Sequence, residues 1–330
     1  MSVYTSVTQP ELEAWLTRYG IGDVALFAPI AAGIENTNYF VTAARGRFVL
    51  TLYERLPPEE LPFYLNFMAH LARAGVEVPA PAADRTGALF SMLNGKPAGL
   101  VARVDGEPVL APTARHCTAV GAALARLHLA SNGYRARLTN RRGPAWWRQA
   151  ARAVRPFLDP GQNDLLAAEL KFLTGYTRGD LPKGAIHGDL FCDNVLFVDD
   201  DRVSGIIDFG FAATDYFAYD LAIAVNDWCV KRDGAAEGAL VPELMHALID
   251  GYESERPLNL EERRQWATLL RAAALRFWLS RLYDLFLPRA GELTHAHDPM
   301  KFERILRHRV ADPTPLPVRE VVTGTTLHGR

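Results

Sequence analysis

The chain has 330 residues, 49% of them hydrophobic, and a formal net charge of -2. That length is enough for two lobes with substantial cores. The balanced charge gives no basic excess for nucleic acid and no acidic excess for a polycationic ligand, so we expect neither partner. The three cysteines are far apart and odd in number, which argues against a disulfide framework or a zinc site.

Targeting and membrane signals are not found in the sequence. Residues 1–6 lack the basic and apolar regions of a signal peptide. No stretch reaches transmembrane length without charge, so we expect no membrane partner. These features predict a cytoplasmic protein, and we expect a monomer or a weak homodimer.

The first hundred residues predict a small lobe built around strands. In order, the predicted elements are a helix from Thr8 to about Gly20, strands within 24–53, a helix over 58–74 and two strands within 89–104. Thr8 and Glu11 have the spacing of a capping box. Apolar and polar side chains alternate over 47–53, which is typical of a strand. Asn94-Gly95 is a hairpin turn sequence.

Helices dominate the rest of the chain. After a predicted hinge at 102–107, the predicted helices cover 113–129, 145–158, 162–177, 215–231, 241–255 and 260–287. A nucleotide-binding lobe at 1–101 and a helical lobe at 108–310 indicate an α+β fold with two lobes, like that of protein kinases. The segment 311–330 has no periodicity and is predicted to be a mobile tail.

The strongest motif is His187-Gly188-Asp189-Leu190-Phe191-Cys192-Asp193-Asn194, followed by Asp208-Phe209-Gly210 fourteen residues after Asn194. Asp189 and Asn194 have the spacing of a kinase catalytic loop, and Asp208 opens a D-F-G sequence. One carboxylate can accept the hydroxyl proton of an acceptor, while an amide oxygen and a second carboxylate hold Mg²⁺ against a triphosphate. We therefore predict ATP and Mg²⁺ as cofactors.

The segments around this motif assign the individual roles. Residues 195–198 and 202–207 read as a hairpin that would place Asn194 and Asp208 side by side as metal ligands. Asp189 is predicted to be the catalytic base and His187 to brace the loop. Each residue alone could be an ordinary turn residue, but the joint pattern favours the catalytic interpretation.

The motif H-G-D-L-x-x-x-N followed by I-I-D-F-G resembles the aminoglycoside phosphotransferase and choline kinase superfamily, the small-molecule relatives of the protein kinases. More narrowly, the chain is similar to the bacterial homoserine kinases of that superfamily in residues 33–39, 48–54, 219–228 and 288–293. The resemblance covers about residues 1–310. It implies ATP-dependent phosphorylation of the side-chain hydroxyl of L-homoserine, a step of threonine biosynthesis.

The nucleotide site is predicted on the strands of the small lobe. Gly33, Asn36 and Asn38 lie where a kinase places its phosphate-covering loop, although a plain hairpin turn is the alternative. Val49 and Val101 are predicted to lie beside the adenine.

A departure from the kinase pattern occurs on the third strand. Thr51 stands where kinases usually place a lysine that binds the phosphates. Arg47 shares its face but lies roughly 13 Å away along an extended strand, so it is a poor replacement. The missing lysine motivates a second hypothesis, a pseudokinase that binds nucleotide without transferring phosphate.

An acceptor site is predicted on the helix 260–287. Arg276, Ser280 and Asp284 recur at four-residue steps on an apolar helix and so form one polar stripe. In the functional interpretation, Arg276 or Arg281 binds a carboxylate and Asp284 or Asp227 accepts an ammonium group, while Asp189 contacts the hydroxyl. In the alternative, Arg281 pairs with Asp284 and Arg276 ties down a neighbouring loop.

Other acceptors remain open at this stage. Only nine residues separate Gly210 from Asp220, too few for the activation loop and peptide platform of a protein kinase, so a small-molecule acceptor is expected. Choline, ethanolamine or another amino alcohol is the main alternative to homoserine. Such substrates lack the carboxylate that the arginines would bind.

Overall fold

The structure, a computed structural model, describes residues 4–30, 36–175, 180–199, 201–288 and 297–316. The N-terminal lobe contains α1 (Gln9–Leu16), β1 (Val24–Pro29), β2 (Thr37–Ala43), β3 (Gly46–Leu52), α2 (Leu61–Arg73), β4 (Phe90–Leu93) and β5 (Lys96–Ala102). The capping box predicted for α1 is present, since the backbone N–H of Thr8 donates to the carboxylate of Glu11 at 2.7 Å.

Five antiparallel strands form the sheet of this lobe, in the order β1-β2-β3-β5-β4. One face packs on α1, where Leu50, Leu52 and Leu100 join Leu12 and Trp15 in a buried cluster. The opposite face carries the residues predicted to contact nucleotide. The hairpin between β4 and β5 is the predicted one, because Asn94 and Gly95 both have positive φ, as a type I′ turn requires.

The C-terminal lobe is mainly helical. Its elements are β6 (Glu107–Pro108), α3 (Ala114–Ser131), α4 (Pro144–Val154), α5 (Pro160–Phe172), β7 (Lys183–Ile186), β8 (Val195–Phe197), β9 (Val203–Ile206), β10 (Ala213–Tyr216), α6 (Phe217–Trp228), α7 (Pro242–Glu255), α8 (Leu260–Phe286) and α9 (Met300–Ala311). A small antiparallel sheet joins β6, β8 and β9, and another joins β7 to β10. The two small sheets flank the segment 187–194, so they fix both ends of the predicted catalytic loop. The α+β fold with two lobes is thereby confirmed.

Close helix packing shapes the core of this lobe. The backbone of α3 approaches that of α7, and a Cβ added at Gly121 would lie 2.0 Å from the carbonyl oxygen of Leu248. A Cβ at Gly251 would lie 2.1 Å from the carbonyl oxygen of Thr118. Glycine at both positions therefore allows the two helices to pack backbone against backbone. No helix in the described parts of the chain is long and apolar enough to cross a membrane.

One predicted helix begins later than expected, and one helix of the structure was not predicted. The helix predicted over 215–231 begins at Phe217, because residues 213–216 pair with β7 as a strand. Helix α9 was not predicted, although its buried residues Phe302, Ile305, Leu306 and Arg309 have the i, i+3, i+4, i+7 spacing of an amphipathic helix. Leu316, in the segment predicted to be a mobile tail, is buried in the core, and residues 317–330 lie outside the described residues.

Candidate active site

The loop that follows β7 is fixed by one buried carboxylate from α6. Asp220 accepts the backbone N–H of His187 on Oδ2 and that of Gly188 on Oδ1, both at 2.8 Å. Asp220 is fully buried. Burial opposes its ionisation, but the hydrogen bonds from His128 and from the N–H of Gly188 outweigh it and lower the pKa of Asp220. The carboxylate therefore stays charged and holds the start of the catalytic loop.

A chain of buried groups supports Asp220 from behind. Nε2 of His128 lies 3.1 Å from the Asp220 carboxylate, and its Nδ1 lies 2.8 Å from the hydroxyl of Tyr252. Arg256 donates to the same hydroxyl at 3.1 Å. A tyrosine hydroxyl that accepts from Arg256 has its own proton free to donate to Nδ1 of His128, and an Nδ1 that accepts belongs to a neutral imidazole. Burial also lowers the pKa of His128 and so favours that neutral form.

Gly188 explains why the loop reads His-Gly-Asp where a protein kinase has His-Arg-Asp. Its backbone has φ +79°, and an added Cβ would lie 2.6 Å from the carbonyl oxygen of Phe211. Both the left-handed conformation and the close approach exclude a side chain at this position. The segment after Asp208-Phe209-Gly210 thus lies directly against the catalytic loop.

His187 contacts two segments of the candidate site. Its Nε2 lies 2.9 Å from the carbonyl oxygen of Ile207, and its Nδ1 lies 3.2 Å from the backbone nitrogen of Asp189. Since a backbone N–H can only donate, Nδ1 accepts and Nε2–H donates to Ile207. Burial lowers the pKa of His187, which agrees with this neutral form.

Asn194 and Asp208 are placed next to each other by the hairpin of β8 and β9. The backbone N–H of Ile207 donates to the carbonyl oxygen of Asn194 at 2.9 Å, so the residues at the two strand ends are neighbours. The side-chain amide of Asn194 donates to the carbonyl oxygen of Asp189 at 2.8 Å, which directs its amide oxygen away from the loop. Asp208 is exposed and has φ 61°, a left-handed conformation that is uncommon for non-glycine residues and occurs at turns and at functional sites.

The donor set at this position fits a magnesium ion that binds together with phosphates. One carboxylate, from Asp208, and one amide oxygen, from Asn194, are hard oxygen ligands, which Mg²⁺ prefers. Among the described residues, no group of three or more His, Cys, Asp and Glu side chains could hold a metal. A Mg²⁺ ion with few protein ligands that also binds substrate phosphates is compatible with both observations.

The residues predicted to contact nucleotide share one face of the N-terminal sheet. Asn38 pairs with Thr51 and Val49 with Val101 in the strand registers, and paired residues lie on the same face. The Thr51 hydroxyl donates to the side-chain oxygen of Asn38 at 2.8 Å. Asn36 lies at the edge of the described loop, where its side-chain oxygen is 3.4 Å from the backbone nitrogen of Glu54. Gly33 lies outside the described residues.

In kinases the phosphate-binding lysine also pairs with a glutamate of the following helix. Glu60 is the glutamate at that place in this chain, and its partner is a different residue. Its carboxylate, at the start of α2, pairs with Arg141 of the helical lobe. Thr51 itself is uncharged and bonded to Asn38, so the phosphate-binding lysine has no equivalent at its usual position. Arg47, the other cation considered, pairs with Asp105 at 2.5 Å.

Arg276 is brought to the catalytic loop by α8. Its Nη1 lies 3.5 Å from Oδ1 of Asp189, and its side chain is only 4% exposed. Its guanidinium group lies over the rings of Phe277, at 3.7 Å, and Phe211, at 4.9 Å. The structure therefore places Arg276, one of the predicted acceptor residues, in contact with the predicted base.

Asp227, another predicted acceptor residue, faces the protein interior. Its Oδ1 accepts from Lys301 at 2.8 Å, and its Oδ2 accepts the backbone N–H of Cys192 at 3.0 Å. Burial opposes its charge, but Lys301 and the Cys192 N–H lower the pKa of Asp227 nevertheless. These contacts support a role in holding the catalytic loop, and they lend no support to a substrate contact.

The remaining predicted acceptor residues lie further along α8. Arg281 donates to the carbonyl oxygen of Asp298 at 3.1 Å and lies over the ring of Phe302. Asp284 is exposed near the end of the helix. The alternative, in which Arg281 pairs with Asp284, stays a prediction.

Sequence reasoning missed the aromatic pair around Arg276 and the lysine beside Asp227. Phe211 directly follows the D-F-G sequence and Phe277 directly follows Arg276, so both positions were visible. Their role depends on the packing of α8 against the loop, which no local pattern reveals. Lys301 lies on α9, the helix that was not predicted.

Two lobes, a clamped His-Gly-Asp loop and an adjacent D-F-G segment define a kinase-like phosphotransferase. A protein-family model described as the phosphotransferase enzyme family matches residues 27–266, more than half of the chain. Two curated relatives are both named homoserine kinase. The one from Burkholderia lata is 47% identical over 328 residues, covering 96% of this chain and 98% of its own. The one from Paraburkholderia xenovorans is 46% identical over 322 residues, covering 94% and 96%.

The chain therefore belongs to the phosphotransferase enzyme family and, within it, to the homoserine kinases. Solved structures agree on the fold. An amicoumacin kinase in complex with AMP-PNP superposes with a TM-score of 0.69 at 15% identity, over 94% of this chain and 95% of that one. A spectinomycin phosphotransferase gives 0.66 at 16% identity, over 92% and 95%.

Proposed function

We propose that this protein transfers the γ-phosphoryl group of ATP to the side-chain hydroxyl of L-homoserine and forms O-phospho-L-homoserine. The observation that carries the proposal is the position of Arg276 beside Asp189, which puts a buried cation next to the base of a phosphotransferase loop. The relatives named homoserine kinase support the same acceptor, since they match this chain over nearly its full length.

Asp189 acts on the acceptor hydroxyl. Its carboxylate orients the hydroxyl oxygen toward the γ-phosphorus and takes the proton as the new O–P bond forms. Asn194 and His187 hold the backbone of Asp189 on its two sides, so the base is positioned before the substrates arrive. Such preorganisation supplies much of the rate in phosphoryl transfer, where little covalent help is needed.

ATP is proposed to lie against the inner face of the N-terminal sheet. Val49 and Val101 would contact the adenine, while the side-chain amides of Asn36 and Asn38 would donate hydrogen bonds to the phosphates and the Thr51 hydroxyl would hold the Asn38 side chain in place. Asn194 and Asp208 would hold Mg²⁺, which when bound neutralises charge on the triphosphate. Tyr53 directly follows β3 and adds a hydroxyl near this region. Burial and the charge of Asp208 both raise the pKa of Tyr53, so this hydroxyl stays protonated.

ADP release with Mg·ATP across a panel of acceptors tests the proposal. The panel contains L-homoserine, L-serine, L-threonine, choline, ethanolamine and an aminoglycoside, and the Asp189→Ala variant is the control. We expect strong turnover with homoserine alone, and turnover lower by ~10²–10⁴-fold in the control. Turnover with a different alcohol would show that the protein is a kinase but that homoserine is not its acceptor. ATP binding without turnover on any alcohol would favour the pseudokinase hypothesis.

A further inference from the structure

The guanidinium group of Arg276 is fixed by its surroundings more firmly than an ordinary arginine. Two aromatic rings, Phe277 and Phe211, lie 3.7 Å and 4.9 Å from its central carbon. Stacking of this kind sets the plane of the group and leaves its in-plane N–H donors for other partners. Arg276 is therefore prepared to bind a planar anion in one orientation.

The ion pair that Arg276 makes is loose for a buried arginine. Its contact with Asp189 is 3.5 Å long. In comparison, Arg256 approaches Glu262 to 2.8 Å, and Arg309 approaches the side-chain oxygen of Asn226 to 2.9 Å, both in buried surroundings. A guanidinium group has five donors, and burying them is costly unless strong acceptors are present. A further acceptor beside Asp189 would thus stabilise Arg276.

A second polar group on the same helix face has no hydrogen-bond partner among the described residues. Ser280 follows Arg276 by one helical turn, and its Oγ is buried with no hydrogen-bond partner among the described residues. Buried hydroxyl groups nearly always have a partner in a complete complex. A polar ligand that reaches Arg276 would pass within one turn of Ser280 and could satisfy it.

We propose that Arg276 is the specificity-determining residue of the acceptor site and binds the carboxylate of the acceptor. This inference rests on the proposed function. The hydroxyl and the carboxylate of homoserine lie at opposite ends of a four-carbon chain, so they can reach two neighbouring side chains, Asp189 and Arg276. The acceptor carboxylate replaces part of the pairing between Arg276 and Asp189 and leaves the Asp189 carboxylate to the hydroxyl.

The same contact discriminates against simple amino alcohols. When the acceptor has no carboxylate, Arg276 stays paired with Asp189, and the hydroxyl must compete with the guanidinium for the base. Specificity then comes from an unfavourable state with the wrong substrate as well as from a favourable contact with the right one. Arg281 is the weaker candidate for this role, because it already donates to the Asp298 carbonyl at 3.1 Å, a closer contact than that of Arg276 with Asp189.

Steady-state kinetics with L-homoserine and with its neutral amide test the proposal. The wild-type protein should prefer homoserine by about 10²-fold in kcat/KM, because its buried arginine rejects a ligand without the matching charge. Arg276→Met retains an apolar side chain between the two rings. It should lose ~10²-fold on homoserine, mainly through KM, and change by less than ~3-fold on the amide. Arg276→Lys keeps the charge but lacks the planar guanidinium, so its kcat/KM on homoserine should lie between those of the wild type and Arg276→Met.

Arg271→Met is the matched control on the same helix. Arg271 also pairs with a carboxylate, that of Glu169, and lies over an aromatic ring, Phe172, at 3.4 Å. The control should keep the full preference for homoserine over the amide, even where thermal unfolding shows a loss of stability. If Arg276→Met does not fold, the preference of Arg276→Lys for homoserine over the amide, compared with that of the wild type, still tests whether Arg276 binds the carboxylate.

Two outcomes would overturn the inference. An equal loss on homoserine and on the amide in the Arg276 variants would mean that Arg276 only supports Asp189. If Arg281→Met loses the preference for homoserine over the amide while Arg276→Met keeps it, Arg281 is the residue that binds the carboxylate. Absence of wild-type turnover with homoserine is a different result, which refutes the proposed function and is seen before any variant is made.

Discussion

The carboxylate of Asp220 accepts the backbone N–H of Gly188 at 2.8 Å and so ties the catalytic loop to α6. The same carboxylate receives the N–H of His187 and a hydrogen bond from the imidazole of His128. All of these groups are buried. The position of Asp189, the proposed base, therefore depends on an electrostatic arrangement in the core behind it.

The stability of this arrangement should depend on pH through His128. Burial lowers the pKa of His128 below its ordinary value of 6.5, so the unfolded chain binds its proton more readily than the folded one. The stabilising contribution is then complete above about pH 6.5 and is lost as the pH falls through and below that value. Urea unfolding at several pH values between 7.5 and 5 measures this loss, and His128→Gln should reduce it.

His246, exposed on α7, gives the control for that experiment. His246→Gln should leave the pH dependence of unfolding as it is in the wild type. An equal pH dependence in the wild type and in His128→Gln would show that His128 does not titrate as a buried neutral group. Loss of the Asp220 charge is expected only at lower pH, because the pKa of Asp220 lies below 3.8.

Asp189→Ala should lower kcat by ~10²–10⁴-fold, the usual range for a positioned acid–base group. ATP affinity should change little, because the side chain faces Arg276 and the proposed acceptor site. The measurement is ADP release with saturating homoserine, together with nucleotide titration by calorimetry. Asp199→Ala, which removes an exposed carboxylate from the next turn of the chain, is the control and should keep full turnover. Wild-type turnover in Asp189→Ala would remove Asp189 from the mechanism.

The catalytic loop could be predicted because its chemistry needs particular residue types at fixed spacing. The hairpin that joins Asn194 to Asp208 is short, so local patterns were enough to place these two residues together. The two lobes could be predicted because the sequence pattern changes along the chain. It is typical of strands before residue 102 and of helices after residue 113. Both predictions depend only on contacts between residues near in sequence.

The acceptor site could be predicted only in part, because its contacts join distant segments. Arg276 and Asp189 are separated by 87 residues, and the sequence offered Arg281 as an equal candidate. Asp284 or Asp227 was predicted to accept an ammonium group, and the carboxylate of Asp227 pairs with Lys301, 74 residues further on. Which charges meet in the folded protein depends on helix packing, and the packing of α8 and α9 was outside the reach of local patterns.

Asp208→Ala should abolish the metal-dependent part of ATP binding. The carboxylate is exposed, and its only contact recorded among the described residues is with the backbone N–H of Gly210 at 3.2 Å, so its removal should cost little stability. Calorimetric titration of ATP with Mg²⁺ and with EDTA measures the effect. In the wild type, Mg²⁺ should tighten ATP binding at least ~10-fold, a typical value for a group that supports a bound metal, and the variant should lose this gain. Undiminished Mg·ATP affinity would contradict the assignment of Asp208 as a metal ligand.

Gly188→Ala tests whether close packing of the loop against Phe211 is needed for activity. The new Cβ would lie 2.6 Å from the Phe211 carbonyl oxygen, at a backbone φ of +79°. Gly87→Ala is the matched control, because Gly87 has φ +87° and no atom within 4 Å of its added Cβ. The control should lose about 1–2 kcal/mol of unfolding free energy from backbone strain alone and keep its kcat. Gly188→Ala should lose more and should also lower kcat by ~10²-fold, since small displacements of a catalytic group are enough for such a loss. Equal stability and full activity in the two variants would show that the loop and the segment after Asp208-Phe209-Gly210 can separate without cost.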